Sequence, residues 1–313
     1  MIKIFRSTSF LLSAALAVLI ISGSATLAAA QSAGRQSSVS PETYGIDLNR
    51  YKNAGMVVEA GRGTPTIDGE LEPGEWSGSE AYTGFIQFQP DHDVPATQKT
   101  TVWVLYDDTH FYVAFDCRQP DYPIQDYILR RDHSGADSDC VGVIIDPFLT
   151  WKEGYLFLVN PAGVQTETML DQQGNGDGSW DTLWKVETIV KEGGWTAEMA
   201  IPWSSLRFVR SEEQTWGINL FRAIGEQSEL SALAPLDIGS NNIMTSNAIF
   251  TGVQGVTPGR SIWINPYITT RKAREGMTGG GLGWVEQTGL RYMGADFKLG
   301  ISSNLIMDLT LNP

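Results

Sequence analysis

Histidine and cysteine are scarce in this chain, three and two among 313 residues. His92, His110 and His133 stand in no Cys/His ligand spacing, and neither an H-E-x-x-H nor a G-x-S-x-G run occurs. Zinc-protease and serine-hydrolase chemistry therefore has no motif to stand on. Acids are plentiful, but a glycosidase needs two carboxylates about 5–10 Å apart across a cleft, and no spacing here pairs any two. Positive charge is in deficit, with 22 Lys and Arg against 36 Asp and Glu and a net charge of −14. Such a surface repels phosphate backbones, so nucleic acid is not expected as a partner. Long amphipathic helices are missing too: nothing after residue 30 keeps an i, i+3, i+4, i+7 apolar stripe over three turns.

What is present begins with export. Lys3 and Arg6 precede the apolar run from Phe10 to Ile21, and Ala28-Ala29-Ala30 follows, the layout of a secretory signal over residues 1–30. The run is short of the ~20 residues that a membrane-crossing helix needs. The signal holds two cations and no acid, so its removal takes the net charge from −14 to −16. Residues 31–55, rich in Ser, Gln, Gly and Pro, read as a flexible leader. Cys117 and Cys140 in an exported chain form either a disulfide or a pair of small buried residues on neighbouring strands.

From Met56 onward the pattern is β. Val57–Ala60 and Pro65–Gly69 read as short strands, and Glu70–Trp76 as a helical turn with Trp76 packed inward. Thr100–Tyr106 and Phe111–Cys117 alternate around Asp107-Asp108-Thr109-His110 as a hairpin. Strand-length runs follow at 141–145, 155–160, 164–170, 185–190, 195–201, 216–224 and 248–253, bounded by Gly, Pro, Asn or Asp. This is the signature of an all-β, antiparallel β-sandwich of jelly-roll or immunoglobulin type over residues 56–256. Its tryptophans are core residues by default.

Residues 260–313 change character. Ile262–Thr269 reads as a strand, Arg271–Gly283 as a charged Gly-rich loop, and Trp284 resumes the β pattern. Ala295–Ile301 alternates, Ser302-Ser303-Asn304 turns, and Leu305, Met307, Leu309 and Leu311 alternate with polar or small neighbours. Such dyad alternation is the pattern of transmembrane β-barrel strands, so the segment reads as the first strands of a truncated outer-membrane barrel. An edge hairpin added to the sandwich is the alternative.

Ile67-Asp68-Gly69-Glu70-Leu71 with Trp76, Tyr106-Asp107-Asp108 before Phe111-Tyr112-Val113, and Asp139 through Asp146-Pro147-Phe148 are distinctive. So are Asn160-Pro161-Ala162-Gly163-Val164-Gln165, Trp180-Asp181-Thr182-Leu183-Trp184, Gly194–Glu198, Ile201-Pro202-Trp203 and Trp216–Asn219. In order and spacing the series resembles the family 9 carbohydrate-binding modules, DOMON-like β-sandwiches, in the variant that precedes an outer-membrane barrel in bacterial envelope proteins. The resemblance implies a non-catalytic module that binds a saccharide in the periplasm or at the outer membrane and serves polysaccharide binding or catabolism. The alternatives are a structural plug or interaction domain for a barrel, and glycoside hydrolase activity.

Sugar-binding members clamp a terminal sugar between aromatic rings and hold its hydroxyls with a glutamate in the strand matching 141–145, where this chain has Gly142. Carbohydrate-contacting candidates are therefore Trp180, Trp184 and Asp181 in one loop, Arg131 and Asp139 in a rim with Arg130, Asp132 and Asp137, and Arg222. Arg222 shares inward parity with Trp216, Ile218 and Leu220 and calls for a carboxylate partner. Asp171, Asn175, Asp177 and Asp181 could together present oxygens to Ca²⁺, a cation that takes six to eight of them. The oligomeric state is not legible.

Overall fold

The computed structural model describes residues 56–128, 131, 138–178, 180–237, 239–240, 242–258, 262–276, 284–302 and 305–311. The signal, the leader and rim residues Arg130, Asp132 and Asp137 lie outside them. The chain divides into two compact units between Pro258 and Gly259.

The first unit is built of β1 (Val57–Glu59), β2 (Gly61–Arg62), β3 (Ile86–Gln89), β4 (Val94–Pro95), β5 (Thr100–Tyr106), β6 (His110–Arg118), β7 (Cys140–Asp146) and β8 (Glu153–Val159). It continues with β9 (Gln165–Asp171), β10 (Gly176–Asp177), β11 (Lys185–Lys191), β12 (Gly194–Pro202), β13 (Glu213–Ile224), β14 (Glu229–Ala232) and β15 (Ala248–Gln254). One sheet runs β10-β9-β8-β7-β13-β14-β3-β4, with β15 also on β13 and β1 on β15; the other runs β11-β12-β6-β5-β2. Pairing is antiparallel except for β1 with β15 and β2 with β5. The all-β sandwich expected from the strand spacing is the observed fold, and short 3₁₀ turns are the only helical pieces among the described residues.

Period-2 alternation explains the core. Phe111, Val113, Phe115 and Cys117 of β6 turn inward with Trp195, Ala197, Met199 and Ile201 of β12. Across from them stand Val141, Val143 and Ile145 of β7, Tyr155, Phe157 and Val159 of β8, and Trp216, Ile218 and Leu220 of β13. Cys117 and Cys140 belong to opposite sheets rather than to neighbouring strands of one. Both thiols are free, and burial pushes each up to about 12.

The outer face of the smaller sheet is also covered. Ile67 and Trp76 pack on Leu105, Tyr112, Ala114 and Ala200. Residues 65–69 are not a strand; the turn expected at 70–76 falls at 73–78, where Glu75 N–H donates to the Glu72 carbonyl (3.3 Å) and Ser77 N–H to the Gly74 carbonyl (3.2 Å), and Trp76 is buried as expected. The buried Glu198 accepts from the backbone N–H groups of Asp68 (3.0 Å) and Gly69 (2.8 Å) through Oε2, and from Trp76 Nε1 (2.9 Å) through Oε1. Gly69 has φ +87°, which a side chain would resist.

On the outer face of the larger sheet, Gly142 lies under its cross-strand partner Leu158. A Cβ at this position would fall 2.2 Å from Leu158 Cδ2 and 2.7 Å from the Phe157 carbonyl oxygen. Gly142→Ala is therefore expected to cost about 1–3 kcal/mol in urea unfolding, as overpacking does. A loss under about 1 kcal/mol would show that β8 gives way.

The second unit is a three-stranded antiparallel sheet in the order β16 (Ile262–Gly276), β17 (Trp284–Ser302), β18 (Leu305–Leu311). Residues 271–276, expected in a loop, extend β16, because their register with β17 continues to Gly276↔Trp284 after one shift near Lys272.

Candidate functional site

β9 runs beside β8 with Gln165 opposite Val159 and Glu167 opposite Phe157, so both polar side chains share the face of the core residues. The chain then leaves the larger sheet after β10 and reaches the smaller one at β11, and residues 180–184 lie between the two at the side of the sandwich. That stretch carries the W-D-T-L-W motif.

Its tryptophans point inward. The Trp184 ring meets Phe157 edge-on at 5.4 Å, and Trp180 packs on Tyr155 at 5.0 Å and on Phe157 at 5.7 Å. Trp184 is buried and Trp180 half-buried, so the pair covers the core and forms no open clamp for a sugar ring. Trp184 Nε1 donates to Glu167 Oε2 at 2.9 Å, which gives the buried indole a partner.

Arg131 completes the cluster from outside. Its Nε and Nη2 both donate to Glu167 Oε1, Nη1 donates to Gln165 Oε1 (2.6 Å), and Nη2 also donates to the Thr182 carbonyl (2.9 Å). Exposed Asp181 stands 3.9 Å from the same nitrogen. Glu167 is 2% exposed, and burial raises its carboxyl above the ordinary range while the Trp184 and Arg131 bonds pull it back. Leu183, 75% exposed, projects between the two tryptophans in sequence. The result is a rim of guanidinium, carboxylate and amide groups over an aromatic floor.

Arg131, Trp180, Asp181 and Trp184 are thus brought together, and Asp139 and Arg222 are not among them. Arg222, 1% exposed, donates from Nη1 to the Lys99 carbonyl and Thr100 Oγ1, and from Nη2 to the Arg118 carbonyl and Gln119 Oε1. The expected carboxylate partner is replaced by Gln119, whose Nε2 donates to Asp139 Oδ2 at 2.7 Å. Asp139 also accepts from the backbone N–H groups of Gln125 and Gly225, and burial raises its carboxyl. Their ligand-contacting role is corrected: a buried relay cannot meet a sugar, and it ties β6, β7 and β13 together.

The calcium set does not assemble either. The Asp171 carboxylate closes its own turn by accepting from the N–H groups of Gln173 and Asn175 and from Asn175 Nδ2. Asp181 faces Arg131. No group of three or more His, Cys, Asp or Glu converges among the described residues. This donor set does not fit Ca²⁺, which needs several oxygens turned to one point.

Gln165 and Glu167 were missed as site residues. Their signal was available in the alternation of 164–170, which places a glutamate on the face that otherwise carries core residues.

No protein-family model matches the chain. Endo-1,4-beta-xylanase A of Thermotoga maritima is 30% identical over 153 residues, and that of Thermotoga neapolitana 29% identical over 153 residues. Each match covers 49% of this chain and 13% of the xylanase, so the chain spans only a small part of these relatives. A structure from Bacteroides uniformis, provisionally described as carbohydrate-binding, has the same fold with a TM-score of 0.50 at 12% identity, covering 62% of this chain and 98% of that one. A family 9 carbohydrate-binding module from Caldicellulosiruptor kristjanssonii in complex with glucose aligns with a TM-score of 0.47 at 15% identity, over 66% of this chain and 97% of that one.

Proposed function

We propose that the sandwich is a saccharide-binding module of an exported cell-envelope protein, which meets its ligand at the Arg131–Asp181 rim. The observation that carries this reading is the convergence of Glu167, Gln165, Asp181 and the Thr182 carbonyl on one partly exposed guanidinium. Planar forks and carboxylates match the vicinal hydroxyls of a sugar, and the half-buried Trp180 supplies an apolar floor beside them. The similarity to part of two endo-1,4-beta-xylanases supports a β-1,4-linked polysaccharide as the ligand class and a place in polysaccharide catabolism. The signal pattern of residues 1–30 supports export to the periplasm or outer membrane. The alternation in 262–311 supports attachment to the outer membrane by strands of a β-barrel.

Titration calorimetry with xylo- and cello-oligosaccharides tests the reading. Binding is expected, and Arg131→Ala and Asp181→Ala should each weaken it at least tenfold while circular dichroism stays unchanged. No heat from folded protein with any glycan would overturn it. The inward Trp180 and Trp184 rings favour a second reading, a plug or interaction domain without sugar. In that case the sandwich of the full chain would gain protease protection only when the second unit is in a membrane.

A further inference from the structure

Among the described residues of the first unit, five large apolar side chains are exposed: Val94, Tyr127, Ile128, Leu183 and Val190. Three of the five gather at the Arg131 cluster, namely Tyr127 (50% exposed), Ile128 (91%) and Leu183 (75%). Single exposed apolar residues need no explanation, but a group of them edged by polar residues marks a binding surface.

Hydrogen bonds fix both sides of that group. Leu183 lies between Thr182, whose carbonyl accepts from Arg131 Nη2, and Trp184, whose carbonyl accepts from Gln165 Nε2 at 2.9 Å. Its own carbonyl accepts from Ser205 Oγ at 3.3 Å, so the backbone here is held while the side chain stays in solvent. On the other side, the Tyr127 carbonyl accepts from Asn160 Nδ2 at 2.7 Å. Asn160 closes the β8–β9 turn by accepting from the Val164 N–H through Oδ1 at 2.8 Å. The next residue is Gln165, to which Arg131 Nη1 donates. Tyr127 and the Arg131 guanidinium are therefore both anchored at the corner where β8 turns into β9.

We infer that Tyr127 is the ring on which the saccharide stacks and that Leu183 is an apolar contact beside it, with Arg131 and Asp181 holding the hydroxyls at the edge. The assignment rests on the reading of the rim as a saccharide site, and adds which side chains take the part that the inward-turned Trp180 and Trp184 do not play. Size favours a sugar: three side chains fall short of the ~800 Å² per partner that a stable protein interface buries. They are enough for one pyranose ring, whose C–H face meets the negative face of an aromatic while its hydroxyls reach the polar groups around it. Anchorage of the Tyr127 backbone on Asn160 reduces the ordering that stacking would otherwise cost.

Titration calorimetry with cellotetraose and xylotetraose compares the parent chain with Tyr127→Ala, Leu183→Ala and, as a control on β11 outside the rim, Val190→Ala. Tyr127→Ala is expected to weaken binding about tenfold, the size of one aromatic contact, and Leu183→Ala about threefold. Urea midpoints of both should stay at the parent's, and Val190→Ala should bind as the parent does. A midpoint that falls in step with the affinity would make these residues supports of the fold and overturn the assignment. Tyr127→Ala that binds within about twofold of the parent would also overturn it, and leave standing the saccharide reading that Arg131→Ala tests. If the variants keep the glycan but abolish a dimer seen by sedimentation, the patch is a protein interface and the assignment falls. No heat from the folded parent with any glycan would remove both the saccharide reading and the assignment.

Discussion

Replacing Arg222 with alanine is expected to lower the stability of the sandwich by about 3–5 kcal/mol, the range for breaking a buried charged network. Four acceptors lose a donor at once, the carbonyls of Lys99 and Arg118, Thr100 Oγ1 and Gln119 Oε1, of which the Lys99 carbonyl keeps the Arg118 N–H at 3.0 Å. Gln119 would then hold Asp139 with one end unpartnered, and an unpaired buried polar group costs more than a bond contributes. Arg222→Lys should recover only part of the loss, because a point charge cannot address two carbonyls and two side chains in the plane of a fork. Urea unfolding followed by tryptophan emission measures both variants. A stable Arg222→Ala protein that had lost saccharide binding would return this residue to the ligand site.

The second large effect is expected at Glu198. Its carboxylate is the shared acceptor for the Asp68 and Gly69 N–H groups and the Trp76 indole, all in the segment over the smaller sheet. Glu198→Ala leaves three donors without a partner and frees Trp76 and Ile67 to leave Leu105 and Ala200, for a loss of about 3–5 kcal/mol. Glu198→Gln should cost less, since its oxygen can still serve one of the two sides. A red shift in emission should accompany the alanine variant before global unfolding. If it unfolds within about 1 kcal/mol of the parent, with emission unchanged, the segment is held by its apolar contacts alone.

The strands that could be read from the sequence are those whose alternation is set by one buried face. β5 and β6 were expected at 100–106 and 111–117 and are found at Thr100–Tyr106 and His110–Arg118. β3 and β14 were not recognised. Their inward positions carry Gln87, Glu229 and Ser231, so no apolar period marks them; Glu229, for instance, accepts from Thr97 N and Oγ1. The same ambiguity hid Glu167 in β9. Asp139 and Arg222 were misplaced for a related reason: parity reveals that a side chain points inward, but not whether its partners there are carbonyls or a ligand. The two tryptophans of the 180–184 motif illustrate the limit from the other direction. Spacing placed them in one loop, and only Phe157 and Tyr155 beneath them decide which way the rings turn.

The parallel pairing of β1 with β15 has a mechanical consequence. These are the first and last strands of the sandwich, joined over Val57↔Ile249, Val58↔Phe250 and Glu59↔Thr251. Because they run in the same direction, tension that enters ahead of Val57 and leaves beyond Gln254 pulls them past each other lengthwise. The bonds from Ile249 N to the Met56 carbonyl and from Ala60 N to the Thr251 carbonyl, both 2.9 Å, are then strained together instead of opening one after another. A pull applied between the two ends of the sandwich would load this pair along its length, and a strand of only three residues is the clamp that resists it.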